Sequence, residues 1–152
     1  SEIPSIRSLA HSRRRAHYTD GSPVERIFQY CADFNALRDD THMSAYAVYN
    51  VEGMVWETFS MISAGQAQTA DALFDQLAYR GFTRAEWKGA IDRLTMLGWI
   101  EADVSCELTK RGEAIRNTVE QQTDRYFFAA WSVLDETEID QLIDLMRRVI
   151  ES

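Results

Sequence analysis

The stretch "LTMLGWIEADVSCELTKRGEAI", residues 94–115, decides the fold. An apolar helix end runs into Gly98, and two short segments of alternating polarity, "WIEA" and "CEL", follow with a tight turn between them. The segment "TKRGEAI" then opens another helix. The stretch therefore predicts a small β-hairpin between two helices, with Trp99 or Ile100 and Leu108 facing those helices.

Two short helices are predicted ahead of this hairpin. Thr69 precedes an amphipathic segment that ends at Gly81. Thr83 and Glu86 then have the spacing of a capping box, in which each side chain bonds the backbone N–H of the other residue. Two short helices joined by a tight turn and followed by a hairpin form a winged helix-turn-helix, predicted here over residues 69–112.

The residues before this segment predict two further helices. Ser22, Pro23 and Glu25 are typical of a helix start. The helix that follows carries an apolar stripe that we expect to be buried: Val24, Ile27, Phe28, Cys31, Phe34 and Leu37. The run "RDDT", residues 38–41, predicts a break, with Asp40 or Thr41 capping a second helix from about His42 to Ile62. That helix is apolar on more than one face, which indicates a central position or a subunit interface.

After the hairpin, a long helix is predicted from Thr109 to Phe128, and Asp135 with Glu138 predicts the start of a last one. The last helix carries a stripe suited to pairing with another helix: Ile139, Leu142, Ile143, Met146, Val149 and Ile150. The predicted fold is therefore mainly α, a winged helix-turn-helix with a small β-hairpin wing and a long N-terminal helical extension. Its parts are a basic arm (1–21), a helical extension and dimerisation region (22–68), the winged helix-turn-helix (69–112) and C-terminal helices (113–152).

Length and composition fit a single domain with a helical extension: 152 residues, of which 45% are hydrophobic. No uninterrupted apolar run of 18 residues occurs and the first residues lack an apolar segment, so we expect no membrane contact, no secretory signal and a cytoplasmic protein. Cys31 and Cys106 lack a paired spacing and are expected to be buried or half-buried thiols that form neither a disulfide nor a metal site.

The net charge of −8 argues against a chain coated for nucleic acid, because phosphate binding needs clustered Lys and Arg. The charge is unevenly spread. Residues 1–20 hold four basic and two acidic groups, net +2, so the other 132 residues carry 12 basic and 22 acidic groups, net −10. The basic block Arg13, Arg14 and Arg15 is either a phosphate-binding arm or an ordinary solvated helix surface.

Within the predicted winged helix-turn-helix, the candidate DNA-contacting residues lie on the second helix and after the wing. If Trp87, Ile91 and Leu94 face the core, Arg84, Lys88 and Asp92 share the exposed face. The candidates, including the arm, are Arg84, Lys88, Arg93, Lys110, Arg111, Arg13, Arg14 and Arg15. Residues 69–112 hold six basic and seven acidic groups, and the turn "EADVSCE" holds three acidic residues and no Lys or Arg. This charge balance argues against DNA binding.

A second candidate site is a pocket for a small aromatic acid. An arginine beside aromatic rings can bind a carboxylate and a ring together. The candidates are Arg38, His42, Tyr46, Tyr49 and Trp56. The alternative is that the aromatic residues are core packing and Asp40 a helix cap.

Nothing in the sequence indicates an enzyme, a cofactor or a metal site. His11, His17 and His42 do not have the i, i+4 spacing of paired metal ligands, and no glycine-rich phosphate loop or nucleophile motif occurs. Glu52 and Glu57 are five residues apart, so they do not pair on one helix face either.

Residues 81–149 resemble the winged-helix half of MarR-type regulators. The segment "LTKRGEAI" is similar to the strand-to-helix signature of that family, and "LDETEIDQLIDLM" resembles its closing helix. From about Asn35 onward, roughly three quarters of the chain, the sequence more narrowly resembles an actinobacterial helix-turn-helix family, with "LRDDTHMSAY" matching a charged turn before a buried helix. Members of that family carry a further helical half in front, which we do not expect in this chain. The resemblance leaves open whether a second copy in a dimer or a partner chain supplies the missing surface.

The resemblance implies a transcriptional regulator that binds DNA as a homodimer and responds to a small aromatic effector. The charges leave an alternative open. In that alternative, the winged helix is a small-molecule-binding or protein-interaction module that does not read DNA.

Overall fold

The computed structural model describes residues 7–15 and 21–151, without the side chains of Arg7, Arg14 and Arg15. Its elements are, in chain order, α1 (Arg7–Arg15), α2 (Pro23–Tyr46), α3 (Gly53–Ser63), α4 (Ala70–Gln76), α5 (Arg84–Met96), β1 (Ile100–Ala102), β2 (Cys106–Leu108), α6 (Lys110–Ala129) and α7 (Glu136–Ile150). The chain divides into two compact units. We call His42–Gln122 the winged unit, and Ser1–Thr41 with Thr123–Ser152 the terminal unit.

The winged unit contains the predicted helix-turn-helix and its wing. Helices α4 and α5 pack together, and α3 packs against α5 and β2. The strands β1 and β2 are antiparallel, with Ile100 opposite Leu108 and Glu101 opposite Glu107. The backbone N–H of Cys106 also donates to the carbonyl of Gln68, 2.9 Å away, which ties the hairpin to the segment before α4. The predicted winged helix-turn-helix is confirmed.

One buried apolar cluster holds the winged unit together. It includes Val55, Trp56, Phe59 and Ile62 of α3, Leu73 of α4, Trp87, Ala90, Ile91 and Leu94 of α5, Trp99, Ile100 and Cys106 of the wing region, and Ile115 and Val119 of α6. Burying a Val, Leu, Ile or Phe side chain stabilises a fold by about 1.5–3 kcal/mol. Helix α3 supplies much of this core, and the compact unit begins at His42, before α3.

The helix starts predicted from capping residues are present. Thr83 and Glu86 form a complete capping box at α5, and Asp135 and Glu138 form another at α7. Hydrogen bonds from the backbone N–H and the hydroxyl of Thr83 lower the pKa of Glu86, so its carboxylate is ionised at neutral pH. The start of the α5 backbone helix is therefore set by local hydrogen bonds.

The junction between the wing and α6 depends on a glycine. The N–H of Thr109 donates to the carbonyl oxygen of Trp99, 3.0 Å away, and the Thr109 hydroxyl accepts from the N–H of Gly112 at 3.0 Å. A Cβ added at Gly112 would overlap the carbonyl oxygen of Trp99, which is backbone and cannot rotate away. This contact between Gly112 and Trp99 sets how closely α6 approaches the wing.

The predicted helix break at residues 38–41 is wrong, because α2 continues through this run to Tyr46. The polar side chains there have partners that leave the helix intact. The carboxylate of Asp40 accepts from the backbone N–H groups of Ser8 and Leu9, each at 2.9 Å, and the Thr41 hydroxyl donates to the carbonyl of Arg38 at 2.8 Å. Asp40 therefore caps the first turn of α1 rather than a helix of its own.

The predicted helix from about His42 to Ile62 is interrupted. Helix α2 ends at Tyr46, a 3₁₀ turn follows at Ala47–Tyr49, and α3 begins only at Gly53. Asn50 ends the turn with a φ of 50°. Asparagine tolerates this left-handed conformation better than most residues, and the conformation stops a right-handed helix.

The apolar stripe of α2 was predicted to be buried, and most of it is exposed within the chain. Val24 and Phe28 are each 75% exposed, Ile27 and Phe34 are 41% and 42% exposed, and Cys31 is exposed. The buried side chains of α2 include instead two carboxylates that bond to α1, those of Asp33 and Asp40. The prediction for the cysteines is wrong for Cys31 but confirmed for Cys106, which is buried.

Candidate nucleic-acid interface

Helix α5 is the second helix of the helix-turn-helix in the winged unit. Its buried side is made by Trp87, Ala90, Ile91 and Leu94. The rest of its surface is exposed, including Arg84, Lys88 and Asp92. In helix-turn-helix proteins this second helix enters the major groove with its N-terminal residues near the base edges.

Arg84 is the most constrained cation on α5. Its Nε donates to Asp71 Oδ1 at 2.8 Å and its Nη2 to Asp75 Oδ1 at 3.4 Å, both on α4. Its guanidinium carbon lies 3.9 Å from the centroid of the Phe74 ring. Asp71, Phe74 and Asp75 were not among the predicted site residues, although their positions at i, i+3 and i+4 place them on one face of the preceding helix.

Lys88 is held differently, by a single carboxylate on its own helix. Its Nζ lies 3.0 and 2.8 Å from the two carboxylate oxygens of Asp92, and both side chains are more than half exposed. An exposed pair at this spacing stabilises a helix by only about 0.3–0.5 kcal/mol. A DNA phosphate can therefore replace Asp92 as the partner of Lys88 with little loss of free energy.

Three candidate cations of the winged unit have no ion-pair partner among the described residues: Arg93, Lys110 and Arg111. Arg93 follows Lys88 by five residues, which places it about 140° further around α5. It lines a cleft of about 320 Å³ together with Glu52, Glu86 and Gly89. Lys110 and Arg111 are exposed in the first turn of α6. The structure therefore separates Arg93 from the face that carries Arg84 and Lys88.

The basic arm is partly described. Arg13 lies on α1, is 65% exposed and places its Nε 3.7 Å from a carboxylate oxygen of Asp33. The side chains of Arg14 and Arg15 lie outside the described residues. The block is thus part of a helix, and its phosphate-binding role stays a prediction.

The wing is acidic and carries an exposed apolar tip. Glu101 and Glu107 lie directly opposite each other across the hairpin, and like charges in that position repel. Val104 at the tip is 89% exposed. Residues 99–108 contain no Lys or Arg. A minor groove has a strongly negative potential, so this wing is unsuited to entering one.

The candidate ligand-binding aromatic residues of the winged unit contact one another. The ring of Tyr46 stacks on that of Trp56 with 4.7 Å between centroids, and Tyr49 meets Trp99 edge to face at 5.5 Å. The Trp56 Nε1 donates to His42 Nε2 at 2.9 Å. Burial raises the pKa of the Tyr46 phenol. These contacts are those of a packed core, and the effector-binding role of His42, Tyr46, Tyr49 and Trp56 stays a prediction.

Arg38, the fifth candidate ligand residue, belongs to the terminal unit. Its Nη1 donates to Asp124 Oδ1 at 2.9 Å, and its guanidinium carbon lies 5.8 Å from the centroid of the Phe127 ring. Arg38 is therefore engaged with α6 residues of its own unit.

Within residues 7–15 and 21–151, no group of three or more His, Cys, Asp or Glu side chains is arranged to hold a metal ion. In the same part of the chain, no helix is both long and apolar enough to cross a membrane.

This geometry defines a winged helix-turn-helix protein, and comparison with known proteins places it further. A family model described as a helix-turn-helix family matches residues 4–152. The chain belongs to this family. A search of curated proteins by sequence found no match.

Solved structures show the same fold. A transcriptional regulator from Thermotoga maritima aligns with a TM-score of 0.70 at 14% identity, covering 85% of this chain and 93% of that one. The reduced form of MarR from E. coli aligns with a TM-score of 0.57 at 20% identity, covering 88% and 97%. A MarR family protein from Mycobacterium tuberculosis, solved in complex with DNA, aligns with a TM-score of 0.57 at 12% identity, covering 86% and 98%. The chain therefore has the MarR-type winged-helix fold.

Proposed function

We propose that this protein is a transcriptional regulator that binds duplex DNA through α5. The observation that carries the proposal is the recognition helix itself: α5 packs on α3 and α4 through one side and presents Arg84 and Lys88 on the other. A protein of the same fold has been solved in complex with DNA, which supports the assignment.

The proposed contacts fall into two groups. Arg84 and Lys88 face the major groove, and Arg93, Lys110 and Arg111 supply phosphate contacts, with Arg13, Arg14 and Arg15 as an additional arm. The acidic wing makes no contact with DNA in this proposal. Because few cations are uncompensated, we expect weak, salt-sensitive binding to random DNA, and affinity for an operator to depend on base contacts.

The double substitution Arg84→Ala with Lys88→Ala tests this proposal. We expect at least a tenfold loss of affinity for duplex DNA at about 50 mM salt and a salt slope smaller by about 1 per protomer, because the loss of Lys88 removes one phosphate contact and the counterion that it releases. The thermal melting temperature should change little, since both side chains are more than half exposed. Anisotropy titrations at several salt concentrations provide the measurement.

A control with the same change in charge is Arg125→Ala with Arg148→Ala, two exposed residues outside the winged unit. This control should bind DNA as the wild type does. An equal loss in both double variants would show that net charge, and not α5, determines binding. A matching loss of melting temperature would show that Arg84 and Lys88 are structural.

We further propose that the protein is a homodimer formed through the terminal unit. Large apolar side chains are exposed on two of its helices: Val24, Ile27, Phe28 and Phe34 on α2, and Ile143, Leu145 and Ile150 on α7. Burying each of these side chains in an interface would contribute about 1.5–3 kcal/mol of stabilisation, which is absent while the side chain is in water. A second copy is a fitting occupant because a two-fold axis brings the same apolar face of each copy together.

We expect Phe28→Glu to shift the protein from dimer to monomer in sedimentation velocity at micromolar concentration, because a carboxylate would be buried without a partner. The control is Val48→Glu, at an apolar side chain of the winged unit that is 80% exposed. It should remain dimeric. A wild-type protein that sediments as a monomer at about 100 μM would contradict the dimer.

The wing favours a second candidate function. Its opposed carboxylates and its exposed Val104 suit a basic, partly apolar protein surface better than they suit DNA. In that case the winged unit would be an interaction module that does not read DNA, and the protein would not bind duplex DNA even at low salt.

A further inference from the structure

The guanidinium of Arg84 is held by three residues of α4 at once. Asp71 accepts from Nε at 2.8 Å, Asp75 accepts from Nη2 at 3.4 Å, and the Phe74 ring lies against the guanidinium plane at 3.9 Å. The two carboxylates and the ring occupy one face of α4, because they are three and four residues apart. We call this group the Arg84 clasp.

The clasp leaves one side of the guanidinium free to bind. Arginine has five N–H donors, and the clasp uses the one on Nε and one on Nη2. No described residue accepts from Nη1 of Arg84, and the side chain stays 55% exposed. The remaining donors lie at the end of the fork, where two parallel N–H groups can meet a pair of acceptors.

An arginine held in such a clasp loses less conformational entropy when it binds than an ordinary surface arginine does. A long side chain loses rotamer freedom when it binds, and a side chain that is already oriented loses less. Guanine offers two acceptors, O6 and N7, side by side in the major groove, and the end of an arginine fork matches them. A phosphate contact needs no such orientation, since a mobile point charge such as Lys88 serves as well.

The position of Arg84 favours a base over a phosphate. It is the first residue of α5, directly after the N-cap Thr83 and inside the capping box that Thr83 forms with Glu86. In helix-turn-helix proteins the N-terminal residues of the recognition helix are those that reach base edges. The carboxylates of Asp71 and Asp75 beside it would repel a phosphate, whereas a base edge carries no net charge.

We propose that Arg84 reads a guanine in the major groove and that Asp71, Phe74 and Asp75 are the residues that position it. This inference rests on the proposed DNA binding and assigns the base that α5 selects. Arg84 contributes specificity, while Lys88 and the unpaired cations contribute affinity that does not depend on sequence.

The test is selection from a randomised duplex pool, with the wild-type protein and two variants of α5. The wild type should enrich guanine at one position of each half-site by roughly 5- to 150-fold over other bases, the range for one good bidentate contact. Arg84→Lys keeps the charge and loses the fork, so it should retain most of the affinity for random DNA and lose this enrichment. Lys88→Arg, the control, should keep it.

The positioning role is tested with Asp71→Ala and Asp71→Asn. The alanine variant should lower the guanine enrichment several-fold without lowering the affinity for random DNA. The asparagine variant keeps an acceptor oxygen and should restore part of the enrichment. A purely structural role of Asp71 would not produce this partial recovery in base preference.

A modified base in the DNA tests the proposed contact between Arg84 and guanine directly. Replacing the selected guanine by 7-deazaguanine removes the N7 acceptor, so it should weaken binding of the wild type and leave that of Arg84→Lys unchanged. Unaltered enrichment in Arg84→Lys, or no enriched guanine in the wild type, would overturn the inference while leaving DNA binding intact. A wild type that retains no DNA from the pool at about 50 mM salt would overturn the proposed function as well.

Discussion

Gly112→Ala should lower the free energy of unfolding by about 3 kcal/mol, an effect at the upper end for one added methyl group. The new Cβ would overlap the carbonyl oxygen of Trp99, so α6 and the wing must move apart. That movement stretches the hydrogen bond from the Thr109 N–H to the same oxygen and loosens Trp99, which is only 2% exposed. Urea denaturation followed by circular dichroism gives the change directly.

Gly89→Ala provides a control with the same chemical change and the opposite expected sign. Gly89 lies inside α5, and a Cβ there would meet nothing within 4 Å. Alanine is favoured over glycine in a helix interior by about 0.5–1 kcal/mol, so this variant should be more stable than the wild type. If Gly112→Ala were as stable as Gly89→Ala, the described junction between α6 and the wing would be wrong.

Trp87→Ala should destabilise the protein by about 3–5 kcal/mol, the usual range for removing a large aromatic side chain from a core. Trp87 is completely buried in α5 and meets Phe82 edge to face with 5.3 Å between ring centroids. Its loss would leave a cavity beneath the recognition helix. DNA binding should fall with stability, because Trp87 is one of the four buried side chains through which α5 packs on the unit.

Trp87→Phe separates packing from hydrogen bonding at the same position. The Trp87 Nε1 is buried and has no hydrogen-bond partner among the described residues, and such a donor costs about 1–3 kcal/mol. Phenylalanine loses some buried area but also removes this donor, so the two effects offset. We expect Trp87→Phe to be destabilised by about 1 kcal/mol or less in urea denaturation. A loss as large as that of Trp87→Ala would show that the indole N–H is satisfied in solution.

Local signals in the sequence predict the helix starts and the wing. The pairs Thr83 with Glu86 and Asp135 with Glu138 lie three residues apart, so their bonds form within one turn and need nothing from the rest of the chain. The hairpin follows from alternating residues around a tight turn. These elements are correct because short-range geometry alone determines them.

Two of the errors, those at Asp40 and at the apolar stripe of α2, occur where residues outside the local segment decide the outcome. Helix α2 continues through Asp40, because the carboxylate of Asp40 accepts hydrogen bonds from the backbone N–H groups of Ser8 and Leu9, more than 30 residues away, and does not cap a new helix. The stripe at Val24 and Phe28 has the spacing of a buried face, yet spacing does not say whether the covering surface belongs to the same chain. For the site, the sequence placed Arg84 on an exposed face but could not show that α4 holds its guanidinium.

A direct titration of the wild-type protein tests the proposed binding of duplex DNA by α5. Fluorescence anisotropy with a random duplex of about 30 base pairs, from about 50 to 200 mM salt, should show binding whose logarithm falls linearly with the logarithm of the salt concentration. The slope should shrink in Arg84→Ala with Lys88→Ala. No binding by the wild type at about 50 mM salt, where phosphate contacts are strongest, would contradict the account and favour an interaction module that keeps the winged fold without reading DNA.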